Sequence, residues 1–391
     1  MANEVFFLEL FEKMKNIDPV ISSLEFYEFK YLLKNMDPGE AGWVSIALLS
    51  EDELLSLIDD DAYYTGVKVM PQKDGITVLD EGVKNLSNML FVGLVKERYT
   101  ADWVKKYFYF DVRGFVFIPR TFYFTQPVLK HLGGKPYKTF EKKQKRFDTF
   151  QGIGYRDFMD ANAEVDEEFI KSILEIIQKK GTPIVIGIAG PTAAGKTEIV
   201  DRLNLVFNRQ GKRITTIEMD NFFTDRELRE KRGIHSMGKE ALHFDFLIQA
   251  IKDISGGAKI YIPEYDYLTE SSSHDEFGKL KPGYKAIEVE PADIIFIEGN
   301  FPFLFEEIIP YIGIKVVYLT DDPIRLKRKW KRDIDYLKKY EQVYFVNRYF
   351  RTQKPKANAC YIPQLISCDI AVYTTGAELW VSEETKELLW K

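Results

Sequence analysis

The sequence predicts an α/β protein, with a parallel sheet and flanking helices in its C-terminal part and a smaller α+β domain before it. Three observations carry that expectation. Apolar, β-branched runs at 183–189, 213–218, 293–297 and 314–319 alternate with helical patterns, as strands joined by crossover helices do. A glycine-rich turn links the first of these runs to an amphipathic helix. Carboxylates stand just past two of the runs, at Asp220 and Glu298, where ligands sit in such sheets.

At 391 residues the chain is long enough for two domains with sizeable cores. Its formal charge of −6 argues against broad nucleic-acid binding and leaves only a local basic patch open. Cys360 and Cys368 match no metal-ligand spacing, and a disulfide scaffold is implausible at this size, so reduced thiols are expected. Residues 1–11 mix acids with apolar side chains and lack the basic start and cleavage signal of a secretory leader. No apolar run is long enough to cross a bilayer, so neither membrane nor nucleic acid is an expected partner, and a cytoplasmic location is expected.

Along the chain, residues 1–132 read as the α+β domain. Helical patterns cover 3–16, 22–35 and 51–59, and the aromatic segment 107–125 reads as one or two strands. Those aromatic rings fit a hydrophobic core better than a base-stacking surface. The acidic run Asp59-Asp60-Asp61 fits a solvated loop better than a cation site. Residues 133–150 open on Gly133-Gly134 and carry six basic against two acidic side chains, so 133–165 reads as a basic linker. The second domain, 166–391, begins with a helix over 167–180. It continues through the strand–turn–helix at 183–200, a strand at 213–218, a helix near 240–253 and strands at 259–262, 293–297 and 314–319. A helix over 322–340 follows.

Gly190, Gly195, Lys196 and Thr197 fit the spacing G-x-x-x-x-G-K-[ST]. This is the pattern of a phosphate-binding P-loop. Its glycines let successive backbone N–H groups turn inward toward phosphate oxygens, and the helix that follows adds its positive end. The nucleotide-binding residues are therefore Gly190, Pro191, Thr192, Ala193, Ala194, Gly195, Lys196, Thr197 and Glu198. Lys196 is placed to reach the β- and γ-phosphates, and the Thr197 hydroxyl to hold Mg²⁺.

Three further segments fit one reaction. Asp220, just past the strand 213–218, can accept the proton of an attacking hydroxyl or orient the water around Mg²⁺; a helix N-cap is the blander role for it. Glu298 ends the buried run 293–297, the arrangement of a carboxylate near the metal, with Gly299 allowing close backbone approach. Arg325, Arg328, Lys329 and Arg332 recur along one helical face, which fits either a solvated basic helix or a cationic face over the transferring phosphate.

In order and spacing, five segments resemble the uridine kinase/phosphoribulokinase family over roughly 183–375. They are the P-loop, Asp220-Asn-Phe-Phe223, Pro263-Glu-Tyr-Asp-Tyr267, Ile297-Glu-Gly299 and the helix from Arg325 to Asp333. The resemblance implies a phosphotransferase that uses ATP and Mg²⁺, with Asp220 as base and Asp220, Thr197 and Glu298 around the metal. It implies Lys196, Arg328, Lys329 and Arg332 in charge neutralisation, a mobile lid around 325–345, and a homo-oligomer. Uridine–cytidine kinases read the pyrimidine with a tyrosine and a histidine at positions held here by Phe223 and Glu270. The family's ribose-binding segment is replaced by Lys239-Glu-Ala-Leu-His-Phe-Asp245, and its lid Arg-Gly-Arg by Leu337-Lys338-Lys339.

Phe223, Glu240, Asp245, Tyr265 and Glu270 are accordingly the expected acceptor-pocket residues. The expected activity is ATP-dependent phosphorylation of a hydroxyl on a small-molecule acceptor, uridine or another. The alternatives are a phosphoribulokinase- or pantothenate kinase-like acceptor, a regulatory NTP-binding protein without turnover, and an RNA-linked NTPase.

Overall fold

The computed structural model describes residues 2–39, 42–59, 70–71, 77–78, 81–111, 115–141, 155–234, 238–339, 355–390 and the single positions 345, 349 and 352. Backbone contacts divide the chain into two units, Met1–Thr121 with Trp330–Pro355, and Phe122–Lys329 with Lys356–Lys391. The division falls near the expected end of the first domain but assigns 330–355 to the N-terminal unit.

In the N-terminal unit, helices occupy Ala2–Lys15, Phe26–Leu32, Glu51–Asp59, Glu81–Val95 and Ala101–Tyr107. β1 (Met70–Pro71) pairs with β2 (Thr77–Val78), and β3 (Phe108–Asp111) with β4 (Val116–Pro119), both antiparallel. The aromatic segment builds a core. Phe108, Phe110, Phe115 and Phe117 are buried around Phe91, with Phe91 and Phe117 centred 5.3 Å apart. Offset and edge-on ring pairs at such distances add to the stabilisation from burial alone. The Ser87 hydroxyl accepts the Phe117 N–H at 3.0 Å, tying β4 to helix Glu81–Val95. Asp60 and Asp61 of the acidic run and 142–154 of the connector lie outside the described residues.

The second unit is built on a seven-stranded sheet. Its strands are β5 (Lys138–Thr139), β6 (Ile184–Ala189), β7 (Ile214–Glu218), β12 (Ile294–Gly299), β13 (Ile314–Leu319), β14 (Ile370–Tyr373) and β15 (Glu378–Val381), in the order β5-β15-β14-β13-β6-β12-β7. The five strands from β14 to β7 are parallel, while β15 and β5 join antiparallel at one edge. Lys138–Thr139, expected in a solvated connector, is thus an edge strand. Side chains alternate between two packed faces, as strand geometry requires. Ile184, Ile186, Ile188 and Phe296 meet Phe169, Ile173, Leu203 and Phe207 from helices Tyr155–Lys180 and Lys196–Arg209. Val185, Ala189, Ile295 and Ile297 face Leu247, Ile251 and Ile254 of helix Phe244–Ser255.

Residues 259–262 do not extend this sheet. β8 (Ile260–Ile262) pairs antiparallel with β11 (Ile287–Val289), and β9 (Tyr265–Asp266) with β10 (Ser271–Ser272). A buried polar cluster anchors this arm. His243 Nε2 lies 3.3 Å from Ser272 Oγ, His274 Nδ1 lies 2.9 Å from Ser273 Oγ, and Lys281 Nζ donates to both Asp225 oxygens at 2.9 and 2.8 Å.

Burial pushes His243 down to about 4, and the neighbouring His274 and Lys281 act in the same direction against Asp225 and Asp275. The unfolded chain therefore takes up a proton near the ordinary histidine value that the folded chain refuses. Stability from this group is complete above about pH 6.5 and is lost as pH falls toward 4, by about 3 kcal/mol. Chemical denaturation across that window should show this slope, and His243→Gln should flatten it; an unchanged slope in the variant would rule out His243 as its source.

Candidate active site

The P-loop's shape follows from where its carbonyls go. Pro191 O accepts from Lys196 Nζ at 3.3 Å, Thr192 O from Arg325 Nη1 at 3.2 Å, Ala193 O from Arg328 Nη1 at 3.1 Å and Ala194 O from Thr320 Oγ1 at 2.7 Å. Four successive carbonyls thus take side-chain donors, and the loop closes on itself through Ala194 N–H to Pro191 O at 3.1 Å while Gly190 N–H bonds Gly299 O at 3.3 Å, a tight turn of the kind on which an anion-binding nest forms. Ala193 and Gly195 adopt positive φ, at 63° and 105°. At Gly190 a Cβ would lie 2.2 Å from Tyr318 O, so only glycine lets the loop strand approach β13 this closely.

Arg325 and Arg328 therefore grip the loop backbone, where the sequence alone allowed a solvated face or a phosphate-facing one. Arg325 also pairs with Asp322 and donates to Tyr123 OH at 3.4 Å. Burial lowers Arg328 to about 10, against the pull of Glu198. Lys329 is half-buried on the same helix. Arg332 falls in the N-terminal unit, in a π-helical stretch over Lys331–Tyr336, where its Nε donates to Asp333 at 2.6 Å. The continuous helix expected over 322–340 is thus an α-helix over Asp322–Trp330 followed by a wider turn.

Opposite the loop, carboxylates crowd together. Parallel register sets Glu298 of β12 beside Glu218 of β7, and Asp220 follows one turn on, in Met219–Phe222. Thr197 Oγ1 donates to Glu298 Oε1 at 2.8 Å. Burial raises Glu298, and Glu218 and Asp220 add to the rise while Lys196 and the Thr197 hydroxyl oppose it. Glu218 is raised by burial and by Asp220 and Asp201. Lys196 is half-buried and pushed down by desolvation, with Glu298, Asp220 and Glu198 pulling it back.

The Thr197 hydroxyl beside two raised carboxylates fits a divalent cation. No three His, Cys, Asp or Glu side chains among the described residues form a complete metal cage.

Two groups at this site are absent from the sequence-based expectation. Glu218 is one. Tyr267 is the other: the residue is 44% exposed, yet its hydroxyl bonds Asp220 and is driven well above the usual phenol range by burial and by Asp220 and Glu218. The Tyr-x-Tyr alternation in β9 and the turn after it was the signal for Tyr267. Glu218 carried none, because its neighbour Glu298 is 80 residues away.

The expected acceptor residues separate. Phe223 packs on Tyr265 with ring centres 5.8 Å apart, and the Arg229 guanidinium lies 5.1 Å from the Phe223 ring centre. Tyr265 OH accepts from Arg229 Nη2 at 3.0 Å. Glu270 is ion-paired with Arg226. Glu240 and Asp245 are exposed, in the short turn Lys239–Ala241 and the first turn of helix Phe244–Ser255.

Residues 185–379 match the Phosphoribulokinase / Uridine kinase family, and this half of the chain belongs to it. Uridine kinases of Limosilactobacillus reuteri and Lactobacillus johnsonii are each 29% identical to it, over 205 and 202 residues. The matches cover 51% and 50% of this chain and 87% and 88% of theirs. Among solved structures, D-glycerate 3-kinase from Cryptococcus neoformans is 14% identical, covers 54% of this chain and 95% of its own, and superposes with a TM-score of 0.39. The family assignment makes the C-terminal half a small-metabolite kinase, a phosphotransferase of a class that generally uses ATP and Mg²⁺. No helix among the described residues is long and apolar enough to cross a membrane.

Proposed function

We propose that the protein transfers the γ-phosphoryl group of ATP to a hydroxyl of a small metabolite other than uridine or cytidine. The observation that carries this reading is the state of the pyrimidine-reading positions. Phe223 has no polar group to offer and Glu270 takes Arg226, while the hydroxyl of Tyr265, packed on Phe223, accepts from Arg229. A pocket that reads a base edge needs free, aimed donors and acceptors, and their loss costs several powers of ten in discrimination.

The chemistry expected of the chain's own residues is intact. Asp220 accepts the proton as the acceptor oxygen attacks phosphorus, the bond to the ADP oxygen breaks, and ADP leaves. Lys196 and the loop N–H groups take up the charge that develops on the transferring group. Thr197 and Glu298 would hold Mg²⁺, which supplies charge neutralisation across the β- and γ-phosphates. Purified full-length protein should release ADP with one acceptor from a panel of sugars, sugar phosphates, polyols and pantothenate, and should be silent with uridine and cytidine. Efficient turnover of either nucleoside would refute the reading.

A further inference from the structure

We infer that Asn300, Tyr361 and Gln364 form a buried relay that positions the Asp220 carboxylate, an inference that rests on the kinase reading. Asn300 follows Gly299 at the end of β12. Its Nδ2 donates to Asp220 Oδ1 at 3.4 Å, and its Oδ1 accepts the Tyr361 hydroxyl at 2.8 Å. Gln364 Nε2 donates to Asn300 O at 2.9 Å and to Cys360 O at 2.8 Å, while its Oε1 accepts the Phe303 N–H at 3.2 Å. Asn300, Tyr361 and Gln364 are 6%, 2% and 0% exposed.

The orientation of the Asn300 amide is fixed by its two neighbours together. A carboxylate accepts only, so the NH₂ end must face Asp220, and the carbonyl end must then face a donor. Tyr361 supplies that donor. Its segment forms a π turn over Ala357–Tyr361 that continues into helix Ile362–Leu365, which places Tyr361 and Gln364 on the same side of Asn300. The Tyr361 ring also packs on Tyr123 at 6.4 Å. Tyr123 OH accepts from Arg325, the residue that holds Thr192 O. One packed chain thus joins the base to the P-loop. Asn300, Tyr361 and Gln364 are positioning residues: they touch Asp220 or its holder, not the reacting atoms.

Two measurements on the full chain test this. Asn300→Leu should lower kcat about 10- to 100-fold, the range for a hydrogen bond to a charged group. Tyr361→Phe should lower it by a few-fold, and both should leave the KM for ATP nearly unchanged. In an Asp220→Asn background neither should lower the residual turnover further; equal losses in both backgrounds would overturn the relay as a purely structural contact.

The second measurement needs no turnover. The Asn300 side-chain ¹⁵N–¹H signals should move in Asp220→Asn and in Tyr361→Phe. If they move while no acceptor is phosphorylated, the relay stands and the kinase reading falls. If neither variant moves them, the relay is overturned whatever the activity. Tyr361→Phe keeps the ring in place and so serves if Asn300→Leu fails to fold.

Discussion

Asp220→Asn should lower kcat by about 10²- to 10⁴-fold, the span usual for a positioned general base. The carboxylate sits with the Tyr267 hydroxyl, beside Glu218 and Glu298 and across from Lys196. Asparagine keeps the shape and the acceptor oxygen but cannot take the proton. The loss should therefore fall on the chemical step, with ATP binding within about twofold of wild type. Single-turnover ADP formation, measured beside equilibrium nucleotide binding, separates the two. Equal loss of binding and rate would assign Asp220 to holding the nucleotide instead.

Lys196→Ala should act on both. The half-buried ammonium feels the charges of Glu298, Asp220 and Glu198 and donates to Pro191 O, so its loss leaves carboxylates uncompensated as well as phosphate. A fall of about 10²- to 10³-fold in kcat is expected from losing one preorganised charge donor, together with weaker ATP binding. Lys196→Arg should not restore the rate, because a planar guanidinium cannot take the place of a compact ammonium in a closed loop. Full activity in Lys196→Ala would remove the loop from the chemistry.

The parts of this site that are legible in the sequence obey local rules. Gly190, Gly195, Lys196 and Thr197 are fixed by what a turn around an anion demands of consecutive residues. Asp220 and Glu298 follow from lying at the ends of apolar runs. What escapes sequence reading depends on partners distant in the chain. Glu218 meets Glu298 only through the register of β7 and β12. Arg325 and Arg328 show a cationic stripe, but only the fold turns them onto loop carbonyls. β8 reads like any apolar strand, and its pairing with β11 rather than the main sheet is decided by residues beyond it. Helix Glu81–Val95, apolar along much of its length, carries no strong start signal, yet it forms the centre of the N-terminal core.

The same distinction governs the acceptor pocket. Replacement of a base-reading tyrosine by Phe223 is visible in the sequence. That the neighbouring Tyr265 and Glu270 are already engaged with Arg229 and Arg226 is visible only in three dimensions. Together they support a kinase core whose acceptor end has been rebuilt.

The most direct test of that account is ³¹P NMR of the full-length protein incubated with ATP·Mg²⁺ and the acceptor panel, beside Asp220→Asn. A new phosphomonoester resonance from one non-pyrimidine acceptor, growing with ADP and absent in the variant, is the expected result. Inorganic phosphate alone, or no change from ATP in any mixture, would contradict it and leave the loop as a nucleotide-binding element without phosphoryl transfer to an acceptor.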